Sequence, residues 1–112
     1  NVNSLAQVAA SAALDDTKFL NRTKNLLKEE KKYLYKNFRR LNLEYVPSAT
    51  NFIIVNLKKD SGIIFKKLLK SGVIVRDMKA WKLNSFIRVT IGTKAENKKF
   101  IMALEKNMGD KL

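Results

Sequence analysis

The chain has 112 residues, 46% of them hydrophobic, and neither cysteine nor histidine; this allows one modest core and excludes a disulfide framework, a thiolate or imidazole metal site and an imidazole general base. Twenty-three lysines and arginines against ten acids leave a formal charge of +13. Those lysines are scattered along helical faces and not interleaved with aromatics, so solvated helix surface is the simpler account and a nucleic-acid partner is not expected. No apolar run approaches the roughly 20 residues of a membrane span, and the opening residues lack a signal-peptide pattern, so a cytoplasmic protein is expected.

In chain order, Asn3 or Ser4 can cap a first helix through Leu5, Val8, Ala9, Ala12, Ala13 and Leu14. Its many alanines imply close approach to another surface. Asp15-Asp16 breaks this segment, and Asp16 or Thr17 can cap a long helix to about Leu41. Phe19, Leu20, Leu27, Leu34, Phe38 and Leu41 form its apolar stripe. Tyr45-Val46 precede Pro47, which disfavours helix, and Asn51 to Leu57 is rich in β-branched and aromatic residues, as expected of a buried strand.

A turn at Lys58 to Ser61 leads into a helix whose predicted buried face is Ile63, Ile64, Leu68 and Leu69, ended by Gly72 as a left-handed C-cap. Two strands follow, Gly72 to Met78 and Phe86 to Gly92, separated by a polar loop from Lys79 to Ser85. Thr93 caps a terminal helix, with Glu96 completing a capping box and Phe100, Ile101, Leu104 and Met108 as the buried face. This order predicts an α+β domain over residues 1–112: a two-layer sandwich in which helices cover one side of a small, largely antiparallel sheet. The other sheet face, with Phe86, Arg88 and Thr90, has no evident cover within the chain.

Each of the last two strand segments carries one arginine, Arg76 and Arg88, in a chain otherwise rich in lysine. A guanidinium makes planar, two-pronged hydrogen bonds to carboxylate or phosphate that an ammonium cannot, so two such forks on neighbouring strands suit a small anion. The alternative for Arg88 is an ion pair or a helix C-cap, and for Arg76 a cross-strand ion pair. Asn51 is expected to satisfy local backbone groups at the strand start, and Trp81 to pack against a neighbour, with substrate contact open to it.

Gly72-Val-Ile-Val-Arg-Asp-Met78, Ile87-Arg-Val-Thr-Ile-Gly-Thr93 and Glu96-Asn97 closely resemble the C-terminal domain of histidinol-phosphate aminotransferases. These are fold type I, class I/II pyridoxal-phosphate enzymes. Asn1-Val-Asn-Ser-Leu-Ala-Gln7 and Pro47-Ser-Ala-Thr-Asn-Phe52 resemble the same family in the same order.

The resemblance implies the small C-terminal domain of an aminotransferase. Arg88 and Arg76 would be substrate-anion ligands, with no catalytic or cofactor-binding residue in this chain. Pyridoxal phosphate would be held by a large domain absent from the sequence, which would also be a partner, and the full-length enzyme would be a homodimer. The implied reaction moves an amino group between glutamate and imidazole-acetol phosphate in histidine biosynthesis, and this chain alone would be inert. A threonine-phosphate decarboxylase, an aromatic aminotransferase and a basic nucleic-acid-binding module are the alternatives.

Overall fold

The computed structural model describes residues 3–108. Four helices, α1 (Ser4–Asp15), α2 (Thr17–Arg40), α3 (Ser61–Lys70) and α4 (Lys94–Met108), accompany strands β1 (Glu44–Val46), β2 (Phe52–Asn56), β3 (Arg76–Asp77) and β4 (Phe86–Thr90). The sheet runs β1-β2-β4-β3, antiparallel throughout. This is the expected α+β architecture of a small antiparallel sheet covered by helices.

Alternation along the strands decides which side is covered. Ile53 and Val55 of β2 and Ile87 and Val89 of β4 turn inward and are buried. They pack with Leu34 and Phe38 of α2, Ile64 and Leu68 of α3, and Phe100, Ile101 and Leu104 of α4. Fully burying a side chain of this size contributes about 1.5–3 kcal/mol, so this layer supplies most of the driving force for folding. Aromatic contacts join α2 to β1 and to α4: the Tyr35 and Tyr45 rings stack at 4.4 Å, and Phe38 meets Phe100 edge-on at 6.3 Å.

Most helix ends follow local chemistry. The Asn3 side chain accepts from the Ala6 amide and Asp16 from that of Phe19, capping α1 and α2. Thr93 and Glu96 exchange hydrogen bonds in the expected capping box. The Thr93 amide also holds the Glu96 carboxyl below the usual carboxylate range. Gly72 ends the α3 segment at φ +82°, where a side chain would strain the backbone.

Four expectations need correction. On α3, Ile64 and Leu68 are buried but Ile63 and Leu69 are 56% and 48% exposed, because the sheet meets only one narrow stripe of this short helix. The apolar stripe of α2 is buried at Leu34 and Phe38 but not at Phe19 and Leu20, since the helix outreaches the sheet it covers. Met108 is only partly buried at the end of α4.

The strand expected from Gly72 to Met78 shrinks to two residues, Arg76 and Asp77. The ladder ends at Arg76–Arg88, while β4 runs on beside β2 to Thr90 before the chain turns away. The Asn97 side chain grips Gly92 at both its amide (2.9 Å) and its carbonyl (3.0 Å), and Ile91 bonds instead to the Asn51 carbonyl. A cleft of about 380 Å³ opens where the two segments diverge, between Gly72–Ile74 and Gly92–Phe100.

Helix α1 contrasts with the rest. None of its residues is buried, and Leu5, Val8 and Leu14 are each more than two-thirds exposed. Nothing among the described residues covers its apolar side chains.

Candidate functional site

The uncovered sheet face gathers the residues that alternate with the core. The register places Val46, Ile54, Arg88 and Arg76 in one row across all four strands. Arg76 and Arg88 are therefore direct ladder partners, with Cβ atoms roughly 4.5–5.5 Å apart as is general for such pairs. Like charges placed opposite each other destabilise a sheet unless something neutralises them.

Neither arginine has an acidic partner among the described residues. The nearest acid along the chain, Asp77, faces the helix side, and Glu44 on the open face pairs with Lys58. The ion-pair alternatives therefore do not hold for Arg76 or Arg88 among the described residues. Arg88 is half-buried, its guanidinium carbon 4.9 Å from the centre of the Phe52 ring. Phe52 lies diagonally across from Arg88, and a cation over an aromatic face is worth about 0.5–1 kcal/mol at a partly open site. That stacking restricts the guanidinium while leaving its N–H donors unused. Arg76, on the edge strand, is exposed.

Two other expected contributors behave differently. Asn51 is exposed, and the side chains that satisfy the turn before β2 are those of Ser48 and Thr50. The amide of Ser48 in turn donates to the Tyr35 hydroxyl (2.8 Å), because α2 passes directly beneath this turn. Asn51 contributes its backbone carbonyl alone, to Ile91. Trp81 sits in a 3-10 turn, Lys79–Trp81, and is 53% exposed.

Phe52, Asp77 and Asn97 play parts that residue types alone did not reveal. For Phe52 a signal existed in the strand register, which a sequence shows only once the pairing is known.

Pyridoxal phosphate needs a lysine for covalent attachment, an acid at the pyridine nitrogen and donors around its phosphate. The described residues do not fit it. The buried polar side chains are Glu30, Ser61 and Asn97, all engaged in internal hydrogen bonds, and none is a lysine. Among the described residues no helix is long and apolar enough to cross a membrane, and no acidic cluster could hold a metal ion.

The model of the aminotransferase class I and II family matches residues 1–104. The chain belongs to that family, whose members depend on pyridoxal phosphate. It is 47% identical over 106 residues to the histidinol-phosphate aminotransferase of Moorella thermoacetica, covering 95% of this chain and 28% of that protein. A second histidinol-phosphate aminotransferase, from Carboxydothermus hydrogenoformans, is 45% identical over 105 residues, covering 94% and 29%. The chain thus spans less than a third of the length of these relatives.

Among solved structures, the histidinol-phosphate aminotransferase of Clostridium acetobutylicum superposes with a TM-score of 0.90 at 23% identity, over 98% of this chain and 34% of that one. The L-threonine-O-3-phosphate decarboxylase of Porphyromonas gingivalis superposes with a TM-score of 0.69 at 25% identity, over 78% and 28%.

Proposed function

We propose that this chain is the C-terminal small domain of a pyridoxal-phosphate-dependent histidinol-phosphate aminotransferase, and that Arg76 and Arg88 bind the anionic group of its substrate. The observation that carries the reading is the direct pairing of two arginines across β3 and β4, neither ion-paired to an acid among the described residues. A phosphate monoester or carboxylate seated between them would cancel their repulsion and accept several charge-assisted hydrogen bonds, each worth about 1.5–3 kcal/mol. Phe52 holds the Arg88 fork in place, so less side-chain freedom is lost on binding.

The substrate assignment draws on the relatives at 47% and 45% identity named above, which carry the histidinol-phosphate aminotransferase name. In that reaction an amino group passes between glutamate and imidazole-acetol phosphate. The cofactor and its attachment belong to the remainder of the polypeptide, so the isolated chain is expected to be inert. We place contact with that remainder on the apolar side chains of α1 and on Phe19 and Leu20 at the start of α2, because these large side chains are exposed on two consecutive helices. The whole enzyme is expected to be a homodimer.

Steady-state kinetics of the full-length enzyme test this reading. Arg88→Lys keeps the charge but loses the fork and should lower kcat/KM about 30-fold or more, corresponding to the roughly 2–5 kcal/mol typical of a disrupted buried charge contact. Arg76→Ala should weaken the phosphorylated substrate more than glutamate. Unchanged kinetics in Arg88→Lys would remove the anion site, and equal losses for both substrates would remove Arg76 from phosphate recognition.

A further inference from the structure

Strand β3 has two residues and lies at the sheet edge. Such a short ladder specifies its own register weakly, and a slip of one residue turns every side chain to the other face. The slipped pairing here would set Asp77 opposite Arg88 on the open face, replacing a repulsive arginine pair by an attractive ion pair. Cross-strand electrostatics thus favour the wrong register. The slip would also set Arg76 opposite the buried Val89 and break the Met78–Phe86 backbone bond (3.1 Å), and a contact behind the ladder adds to that resistance.

The opposing contact is on the helix side. Asp77 there has the fully buried Ile87 as ladder partner, a place that apolar residues usually fill. Its Oδ1 accepts from the Ser61 hydroxyl at 2.7 Å and from the Lys79 amide at 3.0 Å. Ser61, 0% exposed, is the first residue of α3, and its own amide donates to the Asn84 carbonyl at 2.9 Å.

A second arm runs parallel. The Lys79 ammonium lies 2.8 Å from Asp60, whose side chain caps α3 through the Ile63 amide. The first turn of α3 is pressed against this group. A Cβ added at Gly62 would stand 2.9 Å from Lys79 Nζ and 3.3 Å from an Asp77 carboxylate oxygen.

We propose that Ser61 and Asp77, supported by Asp60 and Lys79, form a register lock that holds Arg76 across from Arg88. They are positioning residues. Their hydrogen bond keeps Asp77 on the helix side, where it cannot neutralise Arg88. The inference deepens the anion-site reading and rests on it for its functional consequence, although the register itself can be measured without any ligand.

The test uses the 112-residue chain and inorganic phosphate, with nuclear magnetic resonance reading two things: contacts between the backbones of residues 76 and 88, and the response of their guanidinium signals to phosphate. Ser61→Ala should lose the 76–88 contacts and weaken phosphate about fivefold or more, the worth of one hydrogen bond. Adding Asp77→Leu should restore both, since leucine suits the buried side and offers Arg88 no charge in the slipped register.

A purely structural role for Ser61 predicts no such rescue. Lys79→Met, at an exposed position, should produce a weaker form of the same loss without endangering the fold. Preserved 76–88 contacts in both Ser61→Ala and Lys79→Met, or no recovery in the double variant, would overturn the lock. If Arg76→Ala leaves phosphate binding unchanged while the contacts respond as expected, the lock stands and the anion site falls.

Discussion

Replacing Asn97 by alanine should be among the most damaging single changes available to this chain. Asn97 is 2% exposed at the start of α4, and its side chain makes three hydrogen bonds. It accepts from the Gly92 amide (2.9 Å), donates to the Gly92 carbonyl (3.0 Å), and donates to Glu30 Oε1 of α2 (2.9 Å).

Two of these are ordinary bonds of about 1 kcal/mol each. The third reaches a carboxyl group that is itself only 6% exposed, and loss of a donor to such a group costs about 1.5–3 kcal/mol. Together they predict a loss of about 3–5 kcal/mol, out of a total stability on the order of 5–15 kcal/mol. The melting temperature should fall by about 10–25 °C.

Urea unfolding followed by circular dichroism measures the loss directly. The double variant Glu30→Leu with Asn97→Leu should recover the share owed to the stranded Glu30 carboxyl, while the Gly92 amide and carbonyl still lack their partner. A cost below about 1 kcal/mol for Asn97→Ala, or a double variant no more stable than Asn97→Ala, would refute this account of how the β4–α4 turn is held.

Asp60 should give the chain a measurable acid sensitivity. The Lys79 ammonium and the Ile63 amide hold its carboxyl below the ordinary value of 3.8. A depressed folded value means that its contribution is present above that ordinary value and is lost as pH falls through the lower folded one. The melting temperatures of the native chain and Asp60→Asn should therefore differ at pH 6 and converge towards pH 2; a constant gap would contradict this. The raised value of Lys79, caused first by its hydrogen bond to Asp60, keeps the same pair intact until the pH passes 10.5. Deleting residues 1–15 should change stability by less than about 1 kcal/mol, since α1 buries no residue. A larger drop in calorimetry would show that α1 packs within the chain after all.

Much of the architecture was legible from local chemistry. The caps at Asn3, Asp16 and Thr93 with Glu96, the positive φ at Gly72 and the alternation of Phe86 to Thr90 are each decided by a few adjacent residues, so their physics is contained in the sequence. The arginines were legible as candidates for the same reason, through residue type and strand phase.

Pairing across strands was not legible. That Arg76 faces Arg88, that Phe52 lies under one guanidinium, and that Asp77 turns to Ser61 depend on register. Register is a property of two segments taken together and of the helix packed behind them. The exposure of Ile63, Leu69, Phe19 and Leu20 is of the same kind, because periodicity marks an apolar stripe but only the extent of the opposing surface decides how much of it is buried. Asn97 shows the limit most directly. An asparagine one residue after a capping glutamate looks like helix surface, and only the approach of Glu30 from a helix 67 residues earlier makes it the polar centre of the core.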